Sequence, residues 1–126
     1  MKQILSFLIL IVSIIGCLKA DAITYEEALN QQKPVAILVY ADWADNLSPI
    51  KQAFYNAEIK YGSQYNFVYL NIANSETKLF NKTYHIYPNL PYVLLFKDRG
   101  RISRYLQSGC VLDNACFTGK LDVFAN

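Results

Sequence analysis

Two cysteines near the end of the chain, Cys110 and Cys116, are the side chains whose type and spacing could support redox chemistry. A thiolate attacks disulfides, and it forms readily only where a cation or a helix N-terminus lowers the pKa of the thiol. No Lys or Arg lies between the two cysteines. Asp113 does lie between them, and its negative charge disfavours formation of a thiolate. The pattern therefore favours a structural disulfide over a redox centre, which stays as the alternative.

Other reactive side chains form weaker patterns. His85 is the only histidine, so a metal site built from several histidines is excluded. Ser48, His85 and either Asp42 or Asp45 could make a serine–histidine–aspartate set, but no nucleophile-elbow motif supports it. We expect His85 to be a partly exposed residue and the two aspartates to solvate their loop. No glycine-rich phosphate loop is present in the sequence, and we expect neither a metal nor a cofactor.

The composition is typical of one small folded domain. The chain has 126 residues, of which 53% are hydrophobic, 14% aromatic and 17% charged. This aromatic content and low charge exclude a disordered chain, and the length suits a single domain. The net charge of +2 gives no electrostatic basis for binding nucleic acid, so we expect no nucleic-acid partner.

The N-terminal segment has the pattern of an export signal. Lys2 precedes an apolar run over residues 4–15, which is too short to span a bilayer as a helix. The motif Ala20-Asp21-Ala22 predicts a signal peptide of residues 1–22, followed by a domain of residues 23–126. Alternatively, Ile14-Ile15-Gly16-Cys17 resembles a bacterial lipobox, which would make residues 1–16 a lipoprotein signal and Cys17 a lipidated N-terminus. An uncleaved membrane anchor is the third interpretation.

Either cleavage predicts an exported protein, periplasmic or secreted, that contacts a membrane only through a lipid on Cys17. Export places Cys110 and Cys116 in an oxidising compartment, where paired cysteines form disulfides. We therefore predict a disulfide between Cys110 and Cys116. Two buried free thiols are the alternative.

Helical and extended patterns alternate along the first half of the domain. Thr24-Tyr25-Glu26-Glu27 is a capping box, with Thr24 as N-cap, that begins a helix ending near Gln32. A continuous apolar run over residues 35–41 predicts a strand that is buried on both faces. Ser48 and Pro49 are predicted to be the N-cap and first residue of the next helix.

The alternation continues to the end of the chain. Further strands are predicted over residues 66–72, 92–97 and 101–106. Further helices are predicted after Ser75, which caps a helix that ends near residue 81, and over about residues 118–125. The first two strands with their helix form a βαβ unit, and the last two form a hairpin. The predicted order is βαβαββα with an extra N-terminal helix, an α/β fold with a central mixed sheet flanked by helices.

Two segments of the sequence resemble the thioredoxin-like superfamily. Val39-Tyr40-Ala41-Asp42-Trp43 is similar to the strand end and tryptophan that precede Cys-X-X-Cys in thioredoxins. The stretch over residues 84–97 looks like the thioredoxin segment around its cis-proline. The two segments lie at the expected places in the order of helices and strands. Together with that order of elements, the resemblance covers most of residues 23–126. The resemblance implies a thioredoxin-like fold and a cis peptide bond between Leu90 and Pro91.

The sequence departs from the family at the residues that perform its chemistry. When Trp43 is aligned with the family tryptophan, Ala44 and Leu47 occupy the two cysteine positions. Leu38 stands where many thioredoxins have a buried aspartate that assists proton transfer. Neither Ala44 nor Leu47 can form a thiolate. We therefore predict no catalytic residue at this site and no ordinary thioredoxin reaction.

In thioredoxins the surface around the tryptophan and the cis-proline binds extended peptide, and this surface can persist without the thiols. Here the resemblance implies a peptide-binding surface formed by Trp43, Tyr87, Leu90, Pro91 and Tyr92, although Tyr92 begins a strand and could instead be buried. The predicted function is an exported, redox-inactive thioredoxin-fold module that binds a protein or extended peptide, or that has a structural role. A thiol–disulfide oxidoreductase that uses the C-terminal cysteine pair is the alternative.

Overall fold

The computed structural model describes residues 24–84 and 86–126. The predicted signal segment, Cys17 and His85 lie outside the described residues. The described elements are, in chain order, α1 (Tyr25–Leu29), β1 (Val35–Tyr40), α2 (Leu47–Tyr61), β2 (Asn66–Asn71), α3 (Glu76–Tyr84), β3 (Tyr92–Lys97), β4 (Ile102–Leu106), α4 (Ser108–Leu112) and α5 (Asn114–Ala125).

A four-stranded mixed sheet, in the order β2-β1-β3-β4, forms the centre of the described structure. β1 pairs with β2 in parallel, so that Tyr40 lies opposite Asn71. β1 pairs with β3 in the antiparallel sense, so that Val39 lies opposite Tyr92. β3 and β4 form the predicted antiparallel hairpin. This sheet, with helices packed on it, confirms the α/β architecture predicted from the sequence.

Two apolar clusters cover the two faces of the sheet, and β1 contributes to both. Ala36 and Leu38 belong to the cluster that also contains Phe54 of α2 and Leu121 of α5. The alternate residues of β1 belong to the cluster that contains Phe80 of α3. The first five residues of β1 are all buried, which explains why this strand is a continuous apolar run rather than an alternating one.

The first helix is shorter than predicted. α1 ends at Leu29 rather than near Gln32, because its last apolar side chain is there and residues 30–32 are exposed. Thr24 is its N-cap as predicted, and the backbone N–H of Glu27 donates a hydrogen bond to Thr24 Oγ1 at 3.2 Å. No described hydrogen bond joins the backbone N–H of Thr24, as donor, to the Glu27 carboxylate, so the structure shows one of the two capping-box bonds.

The start of the second helix was predicted wrongly. α2 begins at Leu47, so Ser48 lies inside the helix and is not its N-cap. Asn46 precedes the helix with a φ of 59° and makes no side-chain capping bond. Pro49 fits because N–H groups in the first turn have no acceptor within the helix, so a residue without N–H loses nothing there.

The last region contains a helix that the sequence pattern did not predict. α4 precedes α5, and α5 begins at Asn114 rather than at residue 118. Asp113 caps α5, because its Oδ1 accepts hydrogen bonds from two backbone N–H groups of the first turn at 3.1 and 3.3 Å. Leu121 and Phe124 are buried, as the predicted helical face requires.

The turn between β3 and β4 makes β4 start one residue later than predicted. The backbone N–H of Arg101 donates to the carbonyl of Asp98 at 3.2 Å, which keeps Arg101 in the turn. Asp98, Arg99 and Gly100 all have positive φ angles. Gly100 has a φ of 85°, which residues with a Cβ atom rarely adopt, so the turn favours glycine there, and a Cβ atom would also lie 2.6 Å from the Tyr84 hydroxyl. β1 and β2 each end one residue earlier than predicted.

Candidate functional site

The topology of the sheet brings the two thioredoxin-like segments together at one edge of the sheet, where β1 and β4 end and β3 begins. β1 ends at Tyr40, three residues before Trp43. β3 runs in the opposite direction and begins at Tyr92, directly after Pro91. Because Val39 lies opposite Tyr92, the end of β1 and the start of β3 are neighbours. The end of β4 lies at the same edge, so α4 also begins there.

A hydrogen-bonded turn presents Trp43 to solvent. The side chain is 74% exposed. The backbone N–H of Ala44 donates to the carbonyl of Ala41 at 3.0 Å and closes the turn. At the end of β2, Asn71 Nδ2 donates to Asp42 Oδ1 at 3.3 Å, which ties the turn to the neighbouring strand. The indole ring is therefore held on the surface by the backbone around it.

Aliphatic side chains occupy the two positions that the resemblance aligns with the thioredoxin cysteines. Ala44, in the turn, and Leu47, at the first residue of α2, are both half-buried. Leu38 is fully buried in the cluster beneath α2. Among the described residues, Thr77 is the only buried side chain that is neither apolar nor aromatic. No carboxylic acid is buried among the side chains whose burial the structure describes.

The peptide bond between Leu90 and Pro91 is cis, as the resemblance implied. Leu90 is half-buried, Pro91 is buried, and Tyr87 is 41% exposed. Ser108 Oγ, at the first residue of α4, donates to the Pro91 carbonyl at 2.6 Å. Sequence reasoning missed Ser108, because no motif marks it and its contact with Pro91 exists only once α4 is in place.

The structure buries two members of the predicted peptide-binding surface, Pro91 and Tyr92. Tyr92 is fully buried, because it is the first residue of a central strand and its side chain points into the cluster beneath α3. Its ring cannot contact a bound peptide. The Tyr92 hydroxyl instead accepts a hydrogen bond from the backbone N–H of Tyr87 at 2.9 Å. Its ring packs against those of Tyr87 and Tyr105, at 5.6 and 5.1 Å. Tyr92 therefore positions Tyr87, through the hydrogen bond to its backbone N–H and through ring packing.

Burial raises the pKa of Tyr92 to about 12 from its ordinary value of 10.0, and the hydrogen bond from Tyr87 partly opposes the rise. The folded state therefore holds this proton up to a higher pH than the unfolded state does. The sign follows: the stabilisation is complete below pH 10 and is lost as the pH rises through 12.

We expect the free energy of unfolding to fall above pH 10, by at most about 1.4 kcal/mol per pH unit for this one group. Urea unfolding at a series of alkaline pH values measures the slope. Tyr92→Phe should make the slope shallower, whereas the other buried tyrosines, whose pKa values burial also raises, contribute equally to both proteins. Equal slopes for the two proteins would contradict the assignment.

A shallow groove beside the Trp43 turn extends the site along α2. Its volume is about 650 Å³. Leu47, Lys51 and Tyr55 follow one another at four-residue spacing and line it, together with Tyr69 of β2. Lys51 Nζ lies 4.3 Å from the centre of the Tyr40 ring. Sequence reasoning also missed this groove, although the four-residue spacing places the three α2 residues on one helix face.

The predicted disulfide between Cys110 and Cys116 is present and joins α4 to α5. The two Cα atoms are 5.2 Å apart, and both residues are half-buried. Because α4 carries Ser108 at its first residue, the disulfide fixes the helix that holds the Pro91 carbonyl.

We expect the double variant Cys110→Ser and Cys116→Ser to lose about 2 kcal/mol of stability, as a crosslink closing so short a loop restricts the unfolded chain. Denaturant unfolding of the variant measures the loss, with the wild-type protein reduced by dithiothreitol as the matched control. An unchanged unfolding midpoint in both would show that the crosslink does not stabilise this region.

Neither a metal-ligand cluster nor a membrane-spanning helix is found among the described residues. Within residues 24–84 and 86–126, no group of three His, Cys, Asp or Glu side chains could hold a metal ion. No helix in that part of the chain is both long and apolar enough to cross a bilayer.

Comparison with known sequences gives a partial match. No family model matches the sequence. The chain is 39% identical over 59 residues to the chloroplastic thioredoxin-like protein HCF164 of Arabidopsis thaliana and, equally, to that of Oryza sativa subsp. japonica. The matched part is 47% of this chain but 23% and 22% of the two relatives. The chain thus spans less than a quarter of the length of the curated relatives it matches.

Comparison with solved structures finds thioredoxins. The thioredoxin of Malassezia sympodialis superimposes with a TM-score of 0.64 at 15% identity, covering 82% of this chain and 87% of that one. A thioredoxin of Entamoeba histolytica gives 0.60 at 18% identity, covering 78% and 88%. The germline-specific thioredoxin Deadhead of Drosophila melanogaster gives 0.58 at 14% identity, covering 75% and 86%. At such identities the likeness is one of fold.

Proposed function

Because the chain has a thioredoxin-like fold with aliphatic residues at both thiol positions, we propose that it is a redox-inactive module that binds extended peptide. The binding surface is the edge at which the Trp43 turn and the cis-proline loop meet. The single observation on which the proposal rests is the 74% exposure of Trp43 on a hydrogen-bonded turn. Tryptophan is enriched among the residues that dominate binding energy at protein interfaces.

Three substitutions support the redox-inactive part of the proposal. Ala44 and Leu47 provide no thiolate, and a thiolate is the species that attacks a disulfide. Leu38 provides no buried acid beneath the site. The expected result is that the protein does not accelerate the reduction of insulin disulfides by dithiothreitol. Acceleration above the uncatalysed rate would contradict this part.

Trp43 also provides a direct test of binding, because it is the only tryptophan in the chain. Its fluorescence therefore reports on this surface alone. The probe is the B chain of insulin with its cysteines alkylated, an extended peptide without thiols. We expect a saturable shift of the emission to shorter wavelength as the indole ring leaves water. Binding of the B chain without any change in Trp43 emission would place the peptide elsewhere and refute the proposed surface.

The proposal includes export, on the evidence of the N-terminal sequence and of a disulfide, which is typical of proteins in oxidising compartments. The mass of the N-terminal fragment of the mature protein tests it. A chain that starts at Ile23 supports secretion, and an acylated Cys17 supports a lipoprotein. A fragment that still contains Met1 would overturn both cleavage predictions.

One observation favours an oxidoreductase that uses the disulfide instead. Cys116 lies in the first turn of α5, and a helix N-terminus lowers the pKa of a nearby thiol. The Asp113 carboxylate, however, accepts a hydrogen bond from the Cys116 N–H and places a negative charge beside it. The reduction potential of the pair decides between the roles. A value below about −300 mV supports a structural disulfide, and one between about −270 and −120 mV supports the oxidoreductase.

A further inference from the structure

A second groove lies at the β4 edge of the sheet, which is the opposite edge from β2. It runs between the edge strand β4 and α5. Its volume is about 440 Å³. Three cations, one each from β3, β4 and α5, line it together with apolar side chains. These residues are Lys97, Arg104 and Lys120, with Ile102, Val123 and Phe124.

The register of the hairpin places the charges and the apolar side chains on one face. Lys97 lies opposite Ile102, and Leu95 lies opposite Arg104, and residues directly opposite each other in a sheet point to the same face. Ile102 is 45% exposed on this face, and Val123 of α5 is 76% exposed beside it. The groove therefore combines positive charge with apolar surface that is open to solvent.

No acidic side chain lines the groove. Arg104 and Lys120 form no ion pair with a described carboxylate, and Lys97 Nζ donates to the backbone carbonyl of Phe124 at 3.1 Å. The one acidic residue of α5, Asp122, does not line the groove and acts instead on the pKa values of buried Tyr61 and Tyr65. No described carboxylate therefore forms an ion pair with the three cations of the groove.

β4 adds a backbone element to this groove. It is the last strand in the sheet order, and it pairs only with β3 within the described residues. An edge strand presents N–H and C=O groups that point away from the sheet, and extended peptides can bind by adding a strand there. Strand addition supplies the backbone hydrogen bonds, while the groove beside the edge supplies contacts for side chains.

We propose that this groove is a second binding site, which takes an extended acidic segment of a partner protein as a strand added alongside β4. Charge complementarity selects this occupant. A second copy of this chain, paired through its own β4, would place the positive charges of the two β4 strands beside each other, which is unfavourable. Residues 1–23 of the chain contain two lysines and one aspartate, so they also match the groove poorly.

The test is a binding measurement on the full chain with a dye-labelled peptide in which glutamate alternates with valine. We expect saturable binding that weakens with added salt and that weakens at least about tenfold in the double variant Arg104→Glu and Lys120→Glu, because like charges then face the peptide. The matched control is Lys78→Glu and Lys82→Glu, which makes the same change of net charge on exposed residues of α3 and should bind like the wild type.

A second measurement follows the backbone amides of β4 by nuclear magnetic resonance. The acidic peptide should slow hydrogen exchange at β4 amides and leave the Trp43 emission unchanged. Equal weakening in both double variants, or equal competition by a single-stranded oligonucleotide, would show a non-specific response to charge and overturn the proposal. Self-association through β4, or peptide binding only after removal of residues 1–23, would assign the groove to another occupant. A change in Trp43 emission would place the peptide at the proposed-function site instead.

Discussion

Trp43→Ala should weaken binding of the alkylated insulin B chain at least about tenfold, the range of a tryptophan that anchors an interface. The same substitution should change the free energy of unfolding by no more than about 0.5 kcal/mol, because the side chain is 74% exposed and contributes little to the core. Since the variant lacks the fluorophore, anisotropy of a dye on the B chain measures binding. Urea unfolding measures stability in parallel.

Ile59→Ala is the matched control for this prediction. Ile59 is 69% exposed on α2, so the variant also removes a large exposed apolar side chain. It lies twelve residues after Leu47, about 18 Å further along the helix at 1.5 Å per residue. We expect wild-type binding from it. If the two variants bind alike, the Trp43 turn is not the peptide site, and the central argument for a binding module fails.

Phe54→Ala is expected to cost about 3–5 kcal/mol of stability, the usual range for removing a buried aromatic ring. Phe54 is fully buried where α2 packs on the sheet. Its ring makes edge contacts with Phe67 and Tyr69 of β2, at centroid distances of 5.2 and 5.0 Å. The cavity left by the ring would remove contacts from both strand residues. Urea unfolding followed by circular dichroism gives the value.

Tyr55→Ala is the control at the next residue of the same helix. Tyr55 is 52% exposed, so its removal tests helix propensity and surface effects without opening the core. We expect a change of about 0.5 kcal/mol or less. A similar loss in both variants would mean that the packing of α2 on the sheet is not what holds this helix.

Local patterns predicted most of the fold correctly because their causes are local. The apolar run that became β1 needs no knowledge of its partners, since burial on both faces excludes polar residues from every position. Thr24 caps α1 through the N–H of a residue only three positions away. The start of α2 was missed because the N-cap position holds Asn46 in a left-handed conformation, while Ser48 and Pro49 give the usual signal two residues too late.

The candidate site was predictable only in part. The resemblance identified Trp43, the cis bond at Pro91 and the absence of thiols at positions 44 and 47, all of which depend on residue type and order. The resemblance placed Tyr92 on the peptide-binding surface, although its position at the start of a predicted strand left burial open. Its burial depends on β3 lying between β1 and β4, and sequence spacing does not reveal that position.

By itself, the sequence indicated a thioredoxin-like order of elements, with Ala44 and Leu47 at the positions that the resemblance aligns with the thioredoxin cysteines, and with Cys110 and Cys116 available to pair. The tertiary structure decided which side chains meet. Ser108 holds the carbonyl of Pro91 from seventeen residues away, and Arg104 and Lys120 line one groove from different elements. Local hydrophobic periodicity sets which face of an element is buried. Contacts between distant residues depend on sheet order and helix packing, which only the folded chain establishes.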